Sequence, residues 1–410
     1  MTTNTFVTAS GLPARRGPRF SLVDAAVRRT NFWSKLPDGS VAILVAYPER
    51  TRSRDTEHQY RQNSDIIYLT GFPEAEAVLI ISKVDPKQPK MTMLVRAKDK
   101  EQEIWTGIRQ GTEGAIANFG ADEAFTVDKF DEVVRRAIAS AKQIYYRFGV
   151  NEEYDEKFRK LWTVSQKPLF NPCTILNEMR LFKTPSEVEL MRYAGAVSAS
   201  AHMRAMRHCR PGMLESELQG ELEAELKKYG CSAEAYTSIV ANANNACVLH
   251  YVDNEDEVTD GALVLIDAAG EYRGYAADIT RTFPANGKFS PAQATIYQIV
   301  LDAQLAAIAE VKPGVPLQQI HDVAKRVMQE KLEALGILPK AVAVASDTAA
   351  IAGGAARASA AAAAIPSKSF RMTDTPPSLK TSRAFSSEIS IVTQFGSAAA
   401  ENFSQIAQLC

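Results

Sequence analysis

Strand-like and helix-like patterns alternate in the first part of the chain. Short apolar runs rich in β-branched residues predict strands. Residues 128–142 instead space their apolar side chains three or four positions apart, which predicts an amphipathic helix. This alternation is typical of an α/β domain. The strand-like runs lie at residues 40–47, 76–84, 90–97 and 143–149.

A different order begins near residue 184. Thr184 is a good N-cap residue, Pro185 suits the first helical position, and Glu187 places an acid in the first turn. These residues predict a long helix that ends before Pro211. A second helix is predicted over residues 214–230, followed by short strand-like pieces. Two further helices are then predicted, at residues 290–311 and 316–336.

The pattern changes again after Lys340. The last 70 residues contain 19 Ala and have no amphipathic period. Such a segment does not specify a packed core, so we expect a low-complexity, disordered tail. The expected organisation is a flexible N-terminus, an α/β domain, a second domain and this tail. Their ranges are 1–17, 18–175, 176–340 and 341–410.

Composition excludes several classes of partner. The chain has 410 residues, is 46% hydrophobic and carries a net charge of −1, so nothing draws it to nucleic acid or to an anionic membrane. No apolar run approaches the ~20 residues of a membrane helix. The five cysteines are widely spaced without a C-x-x-C pair, which indicates reduced thiols and a cytoplasmic protein. An acid-free, Arg-bearing start leaves organelle targeting as a minor alternative.

Two carboxylates stand out in the stretch "LVLIDAAGEYRGYAADITRTF". If it folds as a hairpin closed by Tyr272 and Arg273, Asp267 lies directly opposite Asp278. Like charges in that position are destabilising, and a divalent cation or a bridged pair of cations would hold both. The alternative is that one carboxylate faces solvent or meets Arg281. From the residues alone, both interpretations remain open.

Four longer stretches carry a more specific pattern: "YRQNSDIIYLTGFPEAEAVL", "EMRLFKTPSEVELMRYAG", "VLHYVDN" and "DGALVLIDAAGEYRGYAADITRTFPANGKF". They resemble the aminopeptidase P (Xaa-Pro aminopeptidase) family of M24-type metallopeptidases. The resemblance covers about residues 20–340. It implies an α/β N-terminal domain followed by an α+β "pita-bread" domain, the latter expected to be incomplete in this chain.

The resemblance also implies roles for particular residues. Asp267 matches a ligand of one manganese ion, and Asp278 matches a carboxylate that bridges two Mn²⁺ ions. His250 matches a histidine that lines the site and hydrogen-bonds the substrate. Trp105 matches a tryptophan at the mouth of the active site in an assembled oligomer, so a homo-oligomer is expected. The implied reaction removes the N-terminal residue from peptides with proline in the second position, through a metal-activated hydroxide.

One departure from the family limits these expectations. The family takes one histidine and two glutamates as further ligands, at positions that correspond to residues after Lys340. Here no histidine follows His321, and the only later glutamates are Glu388 and Glu401. We therefore expect impaired activity from the chain as written. The alternatives are an inactive truncated or frameshifted homologue that serves as a binding scaffold and, less favoured, a prolidase or creatinase-like hydrolase.

Overall fold

The structure, a computed structural model, describes residues 6–8, 11–88 and 90–339. The expected tail over residues 341–410 lies outside these described residues. The described helices are α1 (Leu22–Lys35), α2 (Ser64–Thr70), α3 (Lys100–Thr106), α4 (Gly111–Phe119), α5 (Phe130–Ser140), α6 (Glu152–Ser165), α7 (Cys173–Leu181), α8 (Pro185–His208), α9 (Glu215–Lys228), α10 (Pro291–Glu310) and α11 (Leu317–Ala334). The described strands are β1 (Ser40–Val45), β2 (Thr51–Ser53), β3 (Thr56–Glu57), β4 (Val78–Lys83), β5 (Lys90–Val95), β6 (Glu123–Thr126), β7 (Gln143–Tyr146), β8 (Leu169–Phe170), β9 (Ala233–Glu234), β10 (Ile239–Asn242), β11 (Leu263–Asp267), β12 (Gly270–Tyr272), β13 (Tyr275–Ala276) and β14 (Thr280–Pro284).

A six-stranded mixed sheet forms the centre of the first compact unit. Its strand order is β6-β5-β4-β1-β7-β8. The β1–β4 and β4–β5 pairs are antiparallel, whereas β1–β7, β5–β6 and β7–β8 are parallel. The described residues of this unit are 6–8, 11–88, 90–197, 228–233 and 271–276.

Strand β1 shows why this sheet is covered on both faces. Every residue from Ser40 to Val45 is buried, and alternate side chains of a strand point to opposite faces. Ile43 packs in a core with residues of α5 and α6 such as Phe158. Leu44 packs in another core with residues of α1, α2 and α7 such as Leu176. The continuous apolar run in the sequence therefore marks a strand buried on both sides.

The second unit contains a three-stranded antiparallel sheet of order β10-β11-β14 and the helix pair α10 and α11. The helix pair packs through small residues such as Ala303 and Ala324. Helix α10 begins with a capping box between Ser290 and Gln293. The described residues of this unit are 198–227, 234–270 and 277–339.

The secondary structure predicted from apolar spacing is confirmed where the chain is described. The predicted helix over residues 128–142 contains α5, and the predicted strand at residues 40–47 contains β1. The predicted domain boundary at residue 175 falls inside α7 and stays a prediction. Among the described residues, no helix combines the length and the apolar character needed to cross a membrane.

Candidate metal centre

The hairpin that carries the two aspartates turns one residue later than predicted. Tyr272 pairs with Tyr275, so the two-residue loop is Arg273 and Gly274, not Tyr272 and Arg273. Both loop residues have positive φ, 51° and 82°, as a type I′ turn requires. A glycine at the second loop position meets that requirement at little steric cost, which explains where the chain turns.

This shift changes the partner of Asp267. Asp267 lies opposite Thr280, so the predicted direct opposition of Asp267 and Asp278 is wrong. Asp278 lies between β13 and β14, two residues before Thr280. The pair is therefore diagonal rather than directly opposed.

A tyrosine that the sequence did not single out lies between the two carboxylates. The hydroxyl oxygen of Tyr236 is 2.5 Å from Oδ1 of Asp267 and 3.2 Å from Oδ1 of Asp278. The two Oδ1 atoms therefore lie within hydrogen-bond distance of the same hydroxyl oxygen. The hydroxyl has one proton to donate, so it cannot satisfy both carboxylates at once. The structure does bring the two predicted aspartates together.

Electrostatics of this cluster favour a cation. Burial raises the pKa of Asp267, against hydrogen bonds from Tyr236 and Thr280 that lower it. Burial also raises the pKa of Asp278, and the neighbouring charge of Asp267 raises it further. Burial, followed by the charge of Asp267, raises the pKa of Tyr236, so this side chain stays a neutral donor. Two acids that resist ionisation side by side are stabilised by a positive ion.

The donor chemistry of the pair fits a hard divalent cation. Carboxylate oxygens suit Mg²⁺, Ca²⁺ and Mn²⁺, and Asp267 and Asp278 supply only such oxygens. Within residues 6–8, 11–88 and 90–339, no group of three or more His, Cys, Asp or Glu side chains is placed to hold a metal ion. The described residues thus provide the two-aspartate part of a site.

The two other predicted site residues have different surroundings. His250 follows the 3-10 turn Ala243–Cys247 and is exposed. A positive charge on His250 would lower the pKa of Asp267, and the role of His250 toward the substrate stays a prediction. Trp105 lies on α3 in the first unit, with 84% of its surface exposed. Its role at an active-site mouth stays a prediction.

Comparisons with known proteins identify relatives of this chain. The model of metallopeptidase family M24 matches residues 189–357, and that of the aminopeptidase P N-terminal domain matches residues 25–146. The Xaa-Pro aminopeptidase of Escherichia coli (strain K12) is 40% identical over 321 residues, 76% of this chain and 73% of that protein. Human Xaa-Pro aminopeptidase 3 is 30% identical over 343 residues, 80% of this chain and 68% of that protein.

Solved structures that are similar to this chain are also aminopeptidases. Aminopeptidase PepP of Pseudomonas aeruginosa is similar with a TM-score of 0.75 and 42% identity, covering 78% of this chain and 74% of that one. Proline aminopeptidase P II of Yersinia pestis is similar with a TM-score of 0.76 and 42% identity, covering 78% and 76%. The matches confirm the predicted fold class, an α/β N-terminal domain followed by an M24 pita-bread domain.

Proposed function

The chain belongs to metallopeptidase family M24, with the N-terminal domain of aminopeptidase P, and we propose that its catalytic body is that of a manganese-dependent Xaa-Pro aminopeptidase. The reaction would release the N-terminal residue from peptides with proline in the second position. The carrying observation is that one hydroxyl, that of Tyr236, contacts the carboxylates of both Asp267 and Asp278. Membership of this metallopeptidase family implies a divalent metal, and the all-oxygen pair suits Mn²⁺ as it suits Mg²⁺ and Ca²⁺.

We assign separate roles in metal binding, ligand orientation and substrate binding to these residues. Asp267 and Asp278 would hold the cations. When bound, these ions supply Lewis acidity toward the scissile carbonyl and toward the attacking water. Tyr236 donates its proton to one carboxylate and so fixes which oxygens remain free to coordinate. His250, which is exposed, would donate a hydrogen bond to the peptide.

We also propose a homo-oligomer that covers the surface around Trp105. Three large apolar side chains are exposed on α3 and just after its end. Ile104, Trp105 and Ile108 are 81%, 84% and 88% exposed. Apolar groups concentrated in this way mark interaction surfaces. Trp105→Ser should reduce the molar mass measured by light scattering; an unchanged mass would contradict this part of the proposal.

A second candidate is a homologue that binds metal weakly and turns over little. Among the described residues the metal donors are the two aspartates, and the sequence after Lys340 contains no histidine and only Glu388 and Glu401 as glutamates. Two carboxylates alone leave much of an octahedral shell to water. This observation favours low activity for the chain as written, with the folded domains serving at most as a scaffold.

One assay separates the candidates. Purified chain is given an Xaa-Pro tripeptide, with and without Mn²⁺, and release of the N-terminal residue is measured; the same tripeptide with alanine in place of proline is the control. Metal-dependent, proline-selective turnover supports the first candidate. Turnover that appears only after residues 341–410 are exchanged for the C-terminal segment of the Escherichia coli relative supports the second. Inactivity of both proteins would contradict the proposed function.

A further inference from the structure

A fully buried carboxylate at the start of α9 is not part of the centre described above. Glu215 has 0% of its surface exposed. Its Oε1 accepts hydrogen bonds from the backbone N–H of Asn242, at 2.6 Å, and from Nδ2 of Asn245, at 3.0 Å. Its Oε2 accepts from the hydroxyl of Tyr251, at 2.7 Å, and from the backbone N–H of Asp256, at 3.0 Å. Each carboxylate oxygen therefore has two donors.

All four donors belong to one segment, residues 242–256, and His250 lies inside it. Regular structure in this segment ends with the 3-10 turn at Cys247. Two of the large apolar side chains beside His250 point outward, because Val248 and Leu249 are 56% and 46% exposed. Burial of these two side chains therefore contributes little to holding the segment. The hydrogen bonds to Glu215 act together with the packing of Ala246 against Ile239 and Ala241.

The arrangement requires a carboxylate and not merely a polar group. An ionised carboxylate offers about four acceptor sites, and Glu215 uses both oxygens twice. A glutamine in its place would turn its NH₂ group toward two of the four donors. Those two donors and the NH₂ group itself would then have no acceptor. Burying a carboxylate costs free energy unless its hydrogen bonds are complete. Here they are complete, at the cost of fixing the segment that bonds to it.

We propose that Glu215 is a positioning residue that fixes the segment carrying His250 and so sets the position of its imidazole. The inference rests on the proposed function for its catalytic consequence. Tyr251, the next residue after His250, bonds directly to Glu215, and Asn245 bonds to it from the other side of His250. Asn254 adds a second anchor through the backbone of Val240, so the segment is fixed on both sides of the imidazole.

The test replaces Glu215 by Gln and compares it with a matched buried acid on the same helix. Glu225 is 5% exposed and bonds to Ser200 and Arg204 of α8, so Glu225→Gln controls for loss of a buried charge. The readout is the NMR signal of the His250 ring, assigned among the five histidines by its disappearance in His250→Gln. Glu215→Gln should shift and broaden this signal, while Glu225→Gln leaves it in place.

Amide hydrogen exchange measures the segment itself. In Glu215→Gln, exchange at residues 243–256 should rise by about tenfold or more, as expected when buried donors lose their acceptor. Exchange in β11 and α10 should stay as in the parent protein. If exchange in residues 243–256 becomes faster while the His250 signal does not move, Glu215 has only a structural role and the proposal is overturned. Equal changes of the His250 signal in Glu215→Gln and Glu225→Gln would overturn it too.

Kinetics then test the catalytic consequence. If Glu215 acts through His250, the double variant Glu215→Gln, His250→Gln should hydrolyse the Xaa-Pro tripeptide no more slowly than His250→Gln alone. Effects that multiply would show independent action and overturn the proposal. If the parent protein shows no turnover, the kinetic comparison is made in the protein that carries the exchanged C-terminal segment. Inactivity of that protein too would count against the proposed function, and the NMR comparison would still decide whether Glu215 sets the position of His250.

Discussion

Asp267 pairs across its hairpin with Thr280, two residues beyond Asp278. The two acids nevertheless both contact the hydroxyl of Tyr236, because the hairpin turns at Arg273 and Gly274 and keeps one register from the turn to the aspartates. A register displaced by a single residue would turn the side chains of one strand to the opposite face. The geometry of the turn thus decides whether a two-carboxylate site can exist.

We expect Gly274→Ala to destabilise the protein. Gly274 has φ +82°, and an added Cβ would lie 3.2 Å from Cγ2 of Ile67. The left-handed conformation costs an L-residue about 1–2 kcal/mol, before any displacement of Ile67. Gly220 is the matched control, since it lies within α9 with open space around its Cα. Alanine there should stabilise by up to ~1 kcal/mol. Urea unfolding measures both, and changes of the same sign would contradict the argument.

Removing the hydroxyl of Tyr236 should weaken metal binding without removing a ligand. In Tyr236→Phe, the donor at 2.5 Å from Asp267 disappears while the ring remains. Loss of a group that orients a ligand typically lowers metal affinity by about 10–100-fold. Isothermal titration calorimetry of the purified protein with Mn²⁺ measures the change in metal affinity. Tyr297→Phe, whose ring packs on Phe289, is the control, and equal affinities in the two variants would contradict the role of Tyr236.

Asp278→Asn should affect metal binding and stability in opposite directions. The substitution keeps an oxygen acceptor for Tyr236 but removes the negative charge beside Asp267. Without metal, loss of this repulsion should leave the melting temperature unchanged or raised. With excess Mn²⁺, the parent protein should gain stability through binding, whereas the variant should gain little. Melting curves with and without Mn²⁺ give both quantities, and equal metal-induced shifts would exclude Asp278 as a ligand.

The sequence predicted the elements of this fold better than their contacts. Apolar spacing located β1 and α5 because burial on one or two faces imposes a period on the chain. The predicted turn at Tyr272 and Arg273 is one residue too early, because a two-residue hairpin loop needs positive φ at both positions and glycine adopts it most easily. Gly274 is the residue in the sequence that indicates the correct position of the turn. Tyr236 and Glu215 gave no periodic signal, since each contacts residues about 30 or more positions away.

The last prediction concerns a buried ion pair that the predicted domain boundary would divide. Nη2 of Arg28 lies 3.5 Å from Oε2 of Glu187, and their side chains are 3% and 4% exposed. Glu187 also accepts a hydrogen bond from the hydroxyl of Tyr275, at 2.8 Å. A fragment that ends near residue 175 retains Arg28 but loses Glu187. An uncompensated buried charge of this kind costs about 3–5 kcal/mol.

Two fragments test this with one substitution. Residues 18–183 complete α7 but lack Glu187, whereas residues 18–197 include it. We expect Arg28→Met to stabilise the shorter fragment, because Arg28 has lost its anionic partner there and keeps only the carbonyl of Tyr68 as an acceptor, whereas methionine is an apolar side chain of similar length. In the longer fragment the same substitution should destabilise, because it leaves Glu187 buried without its cation. Urea unfolding followed by circular dichroism gives the two free energies. A change of the same sign in both fragments would mean that Arg28 does not depend on Glu187, and that the domain can end before α8 without loss.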